Sequence, residues 1–110
     1  MGRNQEEAEG FQMVRALLIR PEAESDIEGA YRWYEEQSAG LGGEFLFCLE
    51  EGFGRVQRSP ERYPVVYRHL RRHLIRRFPY GIFYLQQADV IVVVAVLHGR
   101  RNPDEWKSRN

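Results

Sequence analysis

Apolar positions in the first half of the chain recur mostly at helical spacing, whereas those of the second half fall in strand-like runs. Val14 to Ile19 (VRALLI) is apolar with one break, ends at the Arg20–Pro21 step and reads as a first strand. Pro21 suits the first position of a helix, and Glu22, Glu24 and Asp26 follow it near the positive end of the helix dipole. Ala23, Ile27, Ala30, Tyr31 and Tyr34 then form one helical stripe, with Trp33 off it, and the run SAGLGG stops the helix near Ser38. Glu44 to Gln57 predicts a second helix, with Phe45, Leu49, Phe53 and Val56 on one face, widened by Leu46 and Cys48. A link this short makes the two helices an antiparallel hairpin.

Ser59 to Pro64 (SPERYP) carries two prolines and reads as loop. From Val65 the character turns to β, with strands predicted over Leu70 to Phe78, Tyr80 to Gln87 and Val90 to Leu97. Gln87, Ala88 and Asp89 form a tight link between the last two. The final strand is apolar on both faces, which places it centrally in a sheet. The first strand must join that sheet, because alone it leaves its backbone hydrogen bonds unmade. The expected fold is α+β: an N-terminal strand, a two-helix hairpin, then a three-stranded antiparallel meander, with the helices packed on one face.

Length fits one domain: 110 residues, 43% hydrophobic and 29% charged, support a single core. Residues 13–110 are expected to form it, with 1–12 a disordered extension; that segment has no apolar signal core, and Glu6 breaks a myristoylation motif. The longest apolar run, Val90 to Leu97, is too short for a membrane span. The single cysteine, Cys48, cannot form an intrachain disulfide and fits a cytoplasmic location.

The net charge of zero conceals a polarised chain. Met1 to Gly54 holds 12 acidic and 4 basic residues, and Arg55 to Asn110 holds 12 basic and 4 acidic. Eight arginines fall between Arg55 and Arg77 against one acid, Glu61. Such a block attracts phosphates or an acidic protein segment, although it can also pair with the acidic half of its own chain.

Few motifs carry chemistry. His69 and His73 have the spacing of a helical zinc pair but lie in a strand-like segment, so no metal site and no cofactor is expected. Cys48 reads as a small core residue rather than a nucleophile. No phosphate-loop, dinucleotide-binding or serine-hydrolase pattern occurs. Tyr31 and Tyr34 read as core, and Trp33 as part of a partner-facing patch. The segment His98-Gly99-Arg100-Arg101 follows a buried strand, where a scaffold can hold side chains rigidly. Histidine there can act as general acid or base, and adjacent arginines can stabilise a phosphorane-like transition state. Arg71, Arg72, Arg76 and Arg77 on a neighbouring strand could extend the same anion site; equally, His98 and Arg101 could clamp the C-terminal tail.

Three ordered segments resemble the RelE/ParE superfamily of type II toxin–antitoxin toxins, also called plasmid stabilisation proteins. MVRALLIRPEAESDIEGAYRWYEEQ is similar to the superfamily's opening strand and helix, and GLGGEFLFCLEEGFGRVQRSPERYP to its second helix and proline loop. LRRHLIRRFPYGIFYLQQADVIVVVAVLHGRRNPDEW is similar to its meander with a closing H-x-x-R-x-P. The resemblance spans Met13 to Trp106 and implies the fold read from periodicity.

It also implies a growth-inhibiting toxin that forms a hetero-oligomer with a cognate antitoxin. ParE-like members poison DNA gyrase by protein contact; RelE-like members cut mRNA on the ribosome. The sheet here lacks lysine and the tail has Trp106 where the endonucleases carry tyrosine, so the ParE-like reading is preferred. Under the endoribonuclease alternative His98, Arg71 and Arg76 form the catalytic set. Arg72, Arg77, Arg101 and Trp106 are the expected target- or anion-binding residues, with Arg101 and Trp106 exposed for contact. The Arg68–Arg77 block and the flank of the helix hairpin are the surfaces expected to meet the antitoxin.

Overall fold

The computed structural model describes residues 14–109; the extension expected over 1–12 lies outside the described residues. β1 (Ala16–Ile19) leads through Arg20 into α1 (Pro21–Gln37), and α2 (Leu41–Arg58) follows after three residues. A 3-10 turn (Pro60–Arg62) occupies the proline loop. Then come β2 (Val65–Tyr67), β3 (Leu70–Leu74), β4 (Tyr80–Gln87), β5 (Val90–His98) and a short α3 (Pro103–Lys107).

One five-stranded sheet runs β1-β5-β4-β3-β2. β5 is central as expected: it pairs antiparallel with β4 and parallel with β1, Leu17 lying opposite Ile91. The meander has four strands rather than three. Val65 to Tyr67 adds a short edge strand through the Arg68–His69 turn, where Arg68 takes a φ of 54°. Neither turn residue is the glycine or asparagine that normally marks such a conformation, so the sequence gives no turn signal there.

The helix stripes bury as their spacing requires. Ala23 and Ala30 of α1 and Phe45, Leu49, Phe53 and Val56 of α2 are buried against Ile82, Tyr84, Ile91 and Val93. The helices approach closely at Gly42, where a Cβ would stand 2.8 Å from the ring and carbonyl of Tyr31. The Glu35 carboxylate caps the start of α2, accepting the Gly40 and Gly42 amides at 2.9 and 3.0 Å. Cys48 is free and buried.

The other face of the sheet also has a core. Leu70, Phe83, Val92, Val94, Ala95 and Leu97 are covered there by Trp106 of α3. The Trp106 indole stacks on Phe83 with centroids 4.8 Å apart and is only 8% exposed. This corrects the expectation of an exposed contact residue at Trp106. An amphipathic ring beside uncovered apolar strand residues contributes more by burial than by exposure. No helix among the described residues is long and apolar enough to cross a membrane.

Candidate functional site

His98 ends β5 opposite Tyr80, the first residue of β4, with ring centroids 5.5 Å apart. Both line a cleft of about 340 Å³ between α1 and the end of the sheet, with Asp26, Gly29, Trp33 and Arg101 on its walls. The cleft exists because β1 stops at Ile19, opposite Val93, leaving β5 from Val94 to His98 paired with β4 on one side but with no strand on the β1 side. Side chains serve that edge instead. Asp26 Oδ2 accepts the Val96 amide at 3.1 Å, and Arg109 Nη1 donates to the Val94 carbonyl at 3.2 Å.

Polar groups in the cleft are tied down. The Arg100 amide donates to His98 Nδ1 at 3.1 Å, leaving Nε2 as the ring nitrogen available to a ligand. Arg101 Nη1 donates to both carboxylate oxygens of Glu105, at 2.8 and 2.9 Å, which raises its pKa further. Burial pushes the Tyr80 hydroxyl above the usual tyrosine range, partly offset by Arg101 and reinforced by Asp26. Trp33, off the core stripe, is 54% exposed and meets Tyr34 edge-on at 5.1 Å.

The other two members of the proposed catalytic set lie elsewhere. Arg71 sits on β3 opposite Tyr84, four residues along β4 from Tyr80. That is about 13 Å along the strand and two strand spacings, about 10 Å, across the sheet. Its guanidinium donates to the carbonyls of Glu61 and Tyr63, closing the proline loop onto the sheet. Arg76, in the β3–β4 connection, donates through Nε to Glu51 of α2 at 2.9 Å. That hydrogen bond is the main reason the Glu51 carboxyl is held below its ordinary range.

The arginine block therefore divides. Arg77 bonds Glu44 at 2.8 Å and Arg55 approaches Glu51, so part of the block neutralises the acidic helices. Arg72 faces the other side of the sheet, opposite Phe83. The sequence could not anticipate this division, because partners 25 and 33 positions apart meet only once α2 packs beside the β3–β4 connection. His73 has a packing role on β3. Its ring lies 4.1 Å from that of Tyr63, and burial, reinforced by Arg55, lowers its pKa.

Over residues 17–103 the chain matches the family model described as the ParE toxin of the type II toxin–antitoxin system parDE. It is 24% identical over 93 residues to Toxin ParE2 of Mycobacterium tuberculosis, strain CDC 1551 / Oshkosh, covering 84% of this chain and 89% of that relative. The same figures hold for Toxin ParE2 of strain ATCC 25618 / H37Rv. Among solved structures, one titled as the chromosomal ParDE TA system from P. aeruginosa superposes with a TM-score of 0.70 at 13% identity. That match covers 78% of this chain and 97% of the other, a likeness of fold.

Proposed function

Because the chain belongs to the ParE toxin family, and is thus the toxin of a type II toxin–antitoxin pair, we propose that it arrests growth by protein contact with DNA gyrase. The observation that carries this reading is the dispersal of His98, Arg71 and Arg76. A nuclease needs its acid or base and its phosphate-stabilising cations within hydrogen-bond reach of one reacting phosphate. Here Arg71 and Arg76 are each engaged by their own chain, and His98 stands two strands across the sheet from Arg71 and four residues along it.

The alternative, ribosome-dependent mRNA cleavage, has one observation in its favour. The cleft brings an imidazole, a phenol and a guanidinium together at His98, Tyr80 and Arg101. An RNA-cutting site in this chain would be built there rather than from the β3 arginines.

The antitoxin partner belongs to the exposed flank of the helix hairpin. A shallow groove of about 650 Å³ there is lined by Ile19, Ile27, Tyr31 and Leu46, with Glu24 and Glu28 also along it. An amphipathic helix laying apolar anchors into such a groove is a common mode of recognition.

The test uses purified full chain in two reactions. With gyrase, ATP and supercoiled plasmid, cleaved DNA should accumulate and the antitoxin should prevent it. With ribosomes programmed with mRNA, the message should stay intact. Cut message and unaffected gyrase would overturn the proposal.

A further inference from the structure

The basic residues sort by face of the sheet. On the helix side Arg55, Arg76 and Arg77 meet glutamates and Arg71 meets carbonyls. The opposite face carries Tyr67 on β2, Arg68 in the turn, Arg72 on β3 and Lys107 beside Trp106. Among the described residues, Arg68, Arg72 and Lys107 have no carboxylate within ion-pair distance.

Their placement is specific. Arg68 Cζ lies 5.0 Å and Lys107 Nζ 5.1 Å from the centroid of the Tyr67 ring. Ring and cations attract through the aromatic quadrupole, but the two cations repel each other, and an anion between them relieves that repulsion. The stem of Arg72 lies across Gly81, where a Cβ would stand 3.1 Å from Arg72 Cγ. Glycine at that position therefore lets Arg72 lie along the sheet. The carboxylates of α1 and α2 belong to the opposite layer; on α3 Glu105 is paired with Arg101, so Asp104 is the acid of that helix set against Arg68, Arg72 and Lys107. The outer face is thus locally positive in a chain of zero net charge.

We propose that Arg68 and Lys107, which flank Tyr67, and Arg72, which lies over Gly81 on the same face, bind the phosphate backbone of duplex DNA without reading its sequence. Two features choose duplex over single strands. Tyr67 is already in contact with two cations, and Trp106 is stacked on Phe83 and buried. Neither ring is open to a splayed base, the contact on which single-strand recognition depends. What remains is cation on phosphate, which positions a protein on DNA and carries no sequence information. The inference does not depend on gyrase being the target, since its test contains only this chain and DNA.

The experiment is fluorescence anisotropy of a labelled 20-base-pair duplex against the full chain over a salt series. Three phosphate contacts predict a slope of about −2.7 in log K against log salt, with affinity in the non-specific range of about 10⁻⁴–10⁻⁶ M. Each of R68Q, R72Q and K107Q should shallow the slope by about 0.9, and the triple variant should lose measurable binding. R32Q, on α1 and paired with Glu28, should match the parent. All are surface changes, and an unchanged circular-dichroism spectrum and melting temperature verify the fold. No duplex binding by the parent at 50 mM salt would overturn the proposal. So would a triple variant with the parent's slope, tighter binding to single-stranded RNA of equal length, or a triple variant that loses only antitoxin affinity.

Discussion

Asp26 of α1 and Arg109 near the C-terminus meet at 2.6 Å and together finish the edge of β5 that β1 leaves uncovered. Arg20 Nη1 adds a bond to the Arg109 carbonyl at 3.0 Å, so the tail is held from both the helix layer and the end of β1. The carboxylate also accepts the Val96 amide, so its loss takes the acceptor from that amide and the ion pair from Arg109, which keeps its bond to the Val94 carbonyl. Asp26→Ala should destabilise the fold by about 1–3 kcal/mol, the range for leaving a buried donor without its acceptor. Asp26→Asn, which keeps an acceptor for Val96, should lose less. Urea midpoints and hydrogen exchange at the Val96 amide measure both; an unperturbed midpoint in Asp26→Ala would contradict the clasp.

Two helical glycines should respond oppositely to alanine. Gly29 in α1 has nothing within 4 Å of an added Cβ, so Gly29→Ala should stabilise by about 0.5–1 kcal/mol through helix propensity. At Gly42 the same methyl meets the Tyr31 carbonyl as well as its ring, and backbone cannot step aside cheaply. Gly42→Ala should destabilise by about 1–3 kcal/mol. Thermal melts of the pair check the helix–helix approach directly.

The Tyr84 hydroxyl donates to the Pro60 carbonyl at 2.6 Å inside the core, which fastens the proline loop to β4. Tyr84→Phe leaves that carbonyl unpaired and should cost about 1–2 kcal/mol. Burial also raises the Tyr84 pKa. A raised pKa means the native state holds its proton after the unfolded chain has released it. The associated stability is complete below about pH 10, the ordinary tyrosine value, and falls as pH rises beyond it. In Tyr84→Phe that contribution to alkaline destabilisation should vanish.

His73 gives the opposite sign. Its lowered pKa means the unfolded chain takes up the proton first, so stability is complete above about pH 6.5 and declines as pH falls. His73→Gln should flatten the denaturation midpoint between pH 7 and pH 5. A further loss at lower pH is expected when Glu51, whose pKa is also depressed, is protonated and its ion pair with Arg76 fails.

Residues whose burial follows from local periodicity were legible in the sequence. The stripes of both helices, apart from half-buried Tyr31, and the two-faced β5 stand as read; of the link read over Gln87, Ala88 and Asp89, Gln87 still belongs to β4, and Ala88 takes a φ of 53°. β2 escaped because three residues and a turn without glycine give no period to detect. Trp106 escaped because its tail is otherwise polar. Yet a strand apolar on both faces requires cover on both, and Trp106 is the large aromatic residue that follows β5. The fates of the arginines were illegible, since one charge pattern served both the ion pairs with α2 and the unpaired outer face.

Growth arrest by His98→Gln separates contact with gyrase from nuclease chemistry. Glutamine keeps an acceptor for the Arg100 amide but cannot act as a general acid or base near neutral pH. Contact with gyrase asks no proton transfer of this chain. Induced expression of soluble His98→Gln should therefore halt growth as the parent does, and co-expressed antitoxin should release it. A nuclease would lose the 10²–10⁴-fold that a general acid or base typically supplies. Normal growth with a folded variant that still binds the antitoxin would contradict the contact mechanism and place the chemistry at His98.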